Sequence, residues 1–176
     1  KIWVESQVGR GSTFSFTIES EVGKMGLPLY LKDYQPQLMG RRLLIVDDDL
    51  TNLKILRLQT QKWGAIVEEA NTAQAALELL HQGKAFDGAI LDVQMPQMDG
   101  ISLAKAIAKL PQMGEFPIVL LTSIGCPPDL DGANIVACLT KPAKPSQLHQ
   151  MLLQMFDSKP IPVPEVLPTA AIETQL

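Results

Sequence analysis

Five polar side chains stand where apolar runs end. Asp92 closes Ala89-Ile90-Leu91, and Asp47 and Asp48 close Leu43-Leu44-Ile45-Val46. Thr122 follows Pro117-Ile118-Val119-Leu120-Leu121, and Lys141 comes two residues after the run Ile135 to Leu139. Carboxylates gathered at one place repel, and one is driven neutral unless a cation sits among them. Hard oxygen ligands suit Mg²⁺, which binds a few carboxylates and keeps waters and a phosphate. A carboxylate held there can attack a phosphoryl group and form an aspartyl phosphate. The metal and the Lys141 ammonium would neutralise charge on the phosphoryl oxygens, and the Thr122 hydroxyl could donate to one of them. Singly, each residue is ordinary. Asp92 in front of Pro96 and Gly100 reads equally well as the cap of a turn. Recurrence at successive run ends is what points to a site.

The elements that must position these residues follow from the apolar pattern. Short apolar runs without alternation, closed by turn residues, fit strands covered on both faces. Between them lie helical spacings. Leu53, Leu56 and Trp63 share a face and Gly64 stops the run, with Asp49 as the N-cap. Ala65 to Glu68 reads as a short strand. A helix capped by Asn71 or Thr72 runs through Leu80, another covers Ile101 to Leu110, and a last one, opened by Pro145, covers Ser146 to Phe156. Asp99 reads as a loop or cap residue rather than a ligand. The order β-α-β-α-β-α-β-(weak α)-β-α predicts parallel strands with right-handed crossovers, whose carboxyl ends share one edge. In such sheets ligands bind in the crevice at that edge.

Outside 41–157 the chain changes character. Residues 1–20 alternate as a β-hairpin around the turn Gln7-Val8-Gly9-Arg10-Gly11-Ser12. Alone such a hairpin is marginal, so it reads as the remnant of a larger sheet. Gly9 and Gly11 do not continue into a phosphate-loop spacing. Residues 21–40, with Gly23, Gly26, Pro28 and Pro36, read as a linker. Residues 158–176 open with Pro160, Pro162, Pro164 and Pro168 and read as a disordered tether. The chain begins at Lys1 and has the look of a piece of a longer one.

Composition sets bounds. With 176 residues, 46% of them hydrophobic, the chain is expected to build one ordinary core. A net charge of −4 without a basic stripe argues against a nucleic-acid surface. No apolar run is long enough for a membrane span, so direct membrane contact is not expected. Cys126 and Cys138 form no disulfide framework or zinc pattern, and read as small apolar residues in a reducing cytoplasm. His81 and His149 have no partner cluster and read as surface or packing residues.

The stretch from Arg41 to Phe156 resembles the receiver domain of two-component signalling. The resemblance rests on Leu44-Ile45-Val46-Asp47-Asp48-Asp49, Leu91-Asp92-Val93-Gln94-Met95-Pro96-Gln97-Met98-Asp99-Gly100, Leu121-Thr122-Ser123 and Leu139-Thr140-Lys141-Pro142. It implies a flavodoxin-like, doubly wound five-stranded parallel sheet of order 2-1-3-4-5. It implies that Asp92 accepts phosphate from a kinase histidine. Asp48 and Asp92 would bind Mg²⁺ directly, Asp47 through water, and the Gln94 backbone carbonyl would add a ligand. Lys141 would pair with the phosphoryl group, and Thr122 would move to it as a two-state switch. Lys1 to Phe16 resembles the closing hairpin of a sensor histidine kinase ATPase domain. The order of segments therefore implies a hybrid histidine kinase, with its dimerisation and phosphotransfer domain as donor and a downstream phosphotransfer domain as a further partner.

The chain departs from the family pattern in two places. Cys138 stands where the family usually has an aromatic residue, three positions before Lys141. The interval between Thr122 and Lys141 is short and holds Pro127, Pro128 and Gly132, which oppose a regular helix. Two other readings stay open. Asp47-Asp48-Asp49-Leu50-Thr51 satisfies the D-x-D-x-T pattern of haloacid-dehalogenase-like phosphatases, with Asp47 as nucleophile. A degenerate receiver that acts only as a binding module is the third.

Overall fold

The computed structural model describes residues 1–19, 29–31, 35–127 and 130–156. The tether read over 158–176 and most of the linker lie outside these residues. The hairpin pairs β1 (Ile2–Gln7) with β2 (Gly11–Phe16) in antiparallel register, Ile2 opposite Phe16 and Val4 opposite Phe14. This alternation puts Ile2, Val4, Phe14 and Phe16 on one face and Trp3 on the other, yet Ile2 and Phe14 remain 76% and 74% exposed.

The rest is β3 (Arg42–Val46), α1 (Leu50–Lys62), β4 (Ile66–Ala70), α2 (Ala73–His81), β5 (Gly88–Asp92), α3 (Gly100–Ala108), β6 (Ile118–Thr122), β7 (Ile135–Thr140) and α4 (Pro145–Phe156). Five strands pair in parallel in the order β4-β3-β5-β6-β7, the flavodoxin-like order expected. Strand side chains alternate between two layers. Leu44, Val46, Ala89, Leu91, Ile118 and Leu120 face α2 and α3. Leu43, Ile45, Ile90, Val119 and Leu121 face α1 and α4. Each of the Leu, Ile and Val side chains contributes roughly 1.5–3 kcal/mol on burial, so strand register and site geometry are stabilised together.

Three helices start on side-chain caps. Asp49 accepts from the amides of Thr51 and Asn52, Thr72 from Ala75, and Asp99 from Ser102. Those amide bonds also hold the exposed Asp49 carboxyl below its usual range. The edge strand β4 carries Glu68 and Glu69, charges that strands disfavour. Arg42 and Lys84 pair with Glu68, and Arg57 pairs with Glu69.

Part of the segment read as linker joins the core. Leu38 is fully buried and Gln35 nearly so, and the Trp63 indole N–H donates to the Tyr30 carbonyl at 2.9 Å. Between β6 and β7 no helix forms among the described residues, which agrees with the helix breakers there.

The cysteines require a correction. Cys126 and Cys138 are not independent apolar residues but form a disulfide, with Cα atoms 5.9 Å apart. Gly125 adopts a positive φ of 62°, and the chain turns there so that Cys126 lies beside β7. The twelve-residue spacing between them carries no trace of that turn.

His149 is a packing residue, as expected. It is buried on α4, edge-on to Trp63 at 5.0 Å, and its Nε2 has no partner among the described residues. Burial disfavours its charged form and lowers its pKa from 6.5. Below about pH 6.5 the unfolded chain takes up this proton before the folded one, so stability falls with pH there. His149→Phe is therefore expected to flatten the fall in melting temperature between about pH 7 and about pH 5. Thermal unfolding across that range checks it, and an unchanged slope would remove His149 as the cause.

Candidate functional site

The parallel sheet brings the carboxyl ends of its strands to one edge. Asp47 and Asp48 follow β3, Asp92 is the last residue of β5, Thr122 is the last of β6, and Lys141 follows β7. The apolar residues behind them hold each strand in register, so the side chain at each end has one place to go.

Lys141 joins two of the acids. Its Nζ donates to Asp47 Oδ2 at 2.8 Å and lies 2.9 Å from Asp92 Oδ2. Both carboxylates are buried, whereas Asp48 is exposed. Burial by itself lowers the Lys141 pKa, but its hydrogen bonds to Asp47 and Asp92 and their charges outweigh this and raise it. The ammonium is thus firmly protonated. Asp47 Oδ1 accepts from the Asp49 amide at 2.9 Å and from the Asn52 side chain at 3.2 Å. Asp92 Oδ1 accepts from the Gln94 amide at 3.2 Å. The Gln94 backbone is therefore at the site through its N–H.

Thr122 is close in sequence position but differently engaged. Its hydroxyl donates to the Gly125 carbonyl and accepts from the Ile124 amide, both at 3.2 Å. The Lys141 amide donates to the Thr122 carbonyl at 2.7 Å, which ties the ends of β6 and β7 together. Asp99 caps α3 and stands apart from the acidic cluster.

Asn52 was not singled out from sequence. It lies one helical turn beyond the cap residue Asp49, on the side of α1 that faces the strand ends. With Asp47, Ile55, Leu56, Lys141 and Pro142 it lines a cleft of about 320 Å³ that opens beside the acids. An Asn at that distance from an N-cap was the available signal.

A divalent cation suits this donor set. Oxygens of Asp47, Asp48 and Asp92 lie within 4.8 Å of one another, and all are hard ligands. Exposed Asp48 leaves one carboxylate open to an ion arriving from solvent. Lys141 is the one cation paired with Asp47 and Asp92 among the described residues. Lys141→Ala leaves those two buried acids uncompensated, a change that costs about 3 kcal/mol in buried pairs. Urea unfolding in EDTA is expected to show that loss, and Mg²⁺ is expected to restore more stability to the variant than it adds to the wild type. Equal effects of Mg²⁺ on both would count against a shared cation site.

The family model described as "Response regulator receiver domain" matches residues 43–153. Over 162 residues the chain is 30% identical to the aerobic respiration control sensor protein ArcB of Escherichia coli, covering 90% of this chain and 21% of that protein. Over 161 residues it is 34% identical to the autoinducer 2 sensor kinase/phosphatase LuxQ of Vibrio vulnificus, covering 87% of this chain and 18% of that protein. The chain thus spans about a fifth of the length of these curated relatives. Among solved structures it is similar to the chemotaxis response regulator CheY4 of Vibrio cholerae. That match has a TM-score of 0.60 and 29% identity, over 66% of this chain and 99% of that one.

Proposed function

From the premise that this chain belongs to the response regulator receiver family, we propose that Asp92 accepts a phosphoryl group from a phosphohistidine in a Mg²⁺-dependent reaction. The observation that carries this is the pairing of one ammonium, Lys141, with two buried strand-end carboxylates beside exposed Asp48. A carboxylate oxygen of Asp92 attacks phosphorus, the donor's N–P bond breaks, and the released imidazole takes a proton from solvent. Bound at Asp47, Asp48, Asp92 and the Gln94 carbonyl, Mg²⁺ would supply charge neutralisation to the phosphoryl oxygens.

The chain's own residues do the rest. Lys141 pairs with the transferred group, and the sheet edge fixes Asp92 for in-line attack. Thr122 leaves the Gly125 carbonyl and donates to the phosphoryl group, which carries the change to β6 and β7. Ile55, which lines the cleft, and Leu58 one turn further along α1 are both more than half exposed and offer a donor helix an apolar seat. A reaction through Asp47 is disfavoured, because three donors already occupy its two oxygens.

The hairpin completes the reading. The match to ArcB covers more of the chain than the receiver segment does. This supports a hybrid histidine kinase in which β1 and β2 close an ATPase domain and a phosphotransfer domain is the partner. Among the described residues no helix is long and apolar enough to cross a membrane, and the reading places this portion in the cytoplasm.

Incubation with acetyl phosphate and Mg²⁺, followed by intact mass and peptide mapping, tests the chemistry. One phosphoryl adduct on Asp92, absent in EDTA, is expected. A stable adduct on Asp47 would favour the phosphatase-like reading. No adduct, with beryllofluoride also failing to bind, would leave a binding module.

A further inference from the structure

We propose that Cys126 and Cys138 form a thiol–disulfide switch that governs how readily Thr122 leaves its present partner, with a low-molecular-weight disulfide as the oxidant. The inference rests on the phosphoacceptor reading of Asp92. Its ground is the placement of the pair. Cys138 lies on β7 opposite Leu120 of β6, three residues before Lys141. Cys126 lies in the loop after β6, one residue beyond the Gly125 carbonyl that accepts the Thr122 hydroxyl. The disulfide therefore tethers to β7 the same peptide segment that holds Thr122.

The consequence follows from hydrogen bonding. When Thr122 turns to a phosphoryl group, the Gly125 carbonyl loses its donor and the Ile124 amide its acceptor. Ile124 and Gly125 are exposed, so water can take up both groups, but the loop loses its anchor on Thr122 and gains freedom to rearrange. A loop free at Cys126 can do so. A loop bonded to β7 is restricted, and oxidation favours the present arrangement of Thr122. Where the thiol pool is reducing, such a bond is transient and follows the pool.

The chemistry balances. The exposed Cys126 thiolate attacks the small disulfide and expels one thiolate, which takes the proton Cys126 gave up. The Cys138 thiolate then attacks the Cys126 sulfur and expels the second, which is protonated likewise. Two protein thiols are oxidised and one small disulfide is reduced to two thiols.

Because coupling is reciprocal, one factor is read twice. The 176-residue chain is prepared reduced and oxidised, with the state confirmed by mass and thiol alkylation. Beryllofluoride with Mg²⁺ is titrated into each by calorimetry. The chain is also equilibrated in mixtures of a small thiol and its disulfide, with and without beryllofluoride. Oxidised protein is expected to bind beryllofluoride at least about fivefold more weakly, and beryllofluoride to shift the thiol–disulfide equilibrium towards thiols by the same factor. The double variant Cys126→Ser, Cys138→Ser is expected to bind like reduced wild type whatever the oxidant. Equal affinities in the two states, tighter binding when oxidised, failure of the disulfide to form, or an oxidant effect that persists in the double variant would each overturn the switch. If reduced protein is labelled at Asp92 but is indifferent to oxidation, only the switch falls. If reduced protein takes neither acetyl phosphate nor beryllofluoride, the phosphoacceptor reading fails and takes the switch with it.

Discussion

Asp92→Asn is expected to take up no phosphoryl group from acetyl phosphate and Mg²⁺, a complete loss rather than a reduced rate. A carboxylate oxygen is a nucleophile that yields an acyl phosphate, and a carboxamide is not. No neighbour can substitute without moving. Asp47 has both oxygens committed to Lys141, Asn52 and the Asp49 amide, and Asp48 is exposed at the edge of the cluster. The fold is expected to survive. An Asn carbonyl at this position still accepts from the Gln94 amide, and Lys141 keeps its bond to Asp47. One negative charge also leaves a cluster whose oxygens lie within 4.8 Å of each other, which lessens their repulsion. Intact mass reads the first expectation and thermal unfolding the second. An undiminished adduct on a folded variant would show that Asp92 is not the acceptor.

Gly100→Ala is expected to produce the largest loss of stability of any single methyl addition in the site region. Gly100 opens α3, and its backbone lies close against the Asp92 and Val93 backbone at the end of β5. A Cβ there would fall on the Asp92 carbonyl oxygen and would also sit 3.1 Å from the Val93 Cα. These are backbone atoms that cannot rotate aside. Ordinary overpacking costs about 1–3 kcal/mol, and this contact should reach the top of that range or exceed it. The Gly100 amide also donates to the Val93 carbonyl at 3.0 Å, so relief by moving α3 breaks a bond that closes the site loop. Urea unfolding measures the loss. A folded variant should in addition label slowly, because any shift is taken up at Asp92 itself. Wild-type stability would mean that the helix start approaches β5 less closely than described.

These residues differ in how far the sequence discloses them. The strand-end acids, Thr122 and Lys141 were legible because each ends an apolar run, and a polar residue in that place is conspicuous. Alternation of strands and helices implied a parallel sheet, but strand order came from the family resemblance, since crossovers alone allow several orders. β4 was expected over Ala65 to Glu68 and runs instead over Ile66–Ala70. Glu68 and Glu69 hide it, because their ion pairs with Arg42, Lys84 and Arg57 are long-range facts. Leu38 stands among Gly and Pro residues that read as a linker, though it packs in the core. Asn52 looked like any polar helix residue until the fold brought it to Asp47. The cysteine pair was invisible for a related reason. Its contact depends on a turn at Gly125, and a composition that fits reduced thiols says nothing about distance.

The hairpin makes protein concentration a hidden variable in solution work on this chain. β1 and β2 present Ile2, Val4, Phe14 and Phe16 to solvent on one face of a two-stranded ribbon whose outer edges pair with no other strand among the described residues. Such ribbons add strands from one another, and encounters between copies grow with the square of concentration. A phosphorylation or binding curve recorded on a crowded sample would fold self-association into its midpoint. Dilution series and light scattering are thus part of reading any affinity for this molecule, and polar substitutions at Ile2, Val4, Phe14 and Phe16 should make those midpoints independent of how much protein is in the tube.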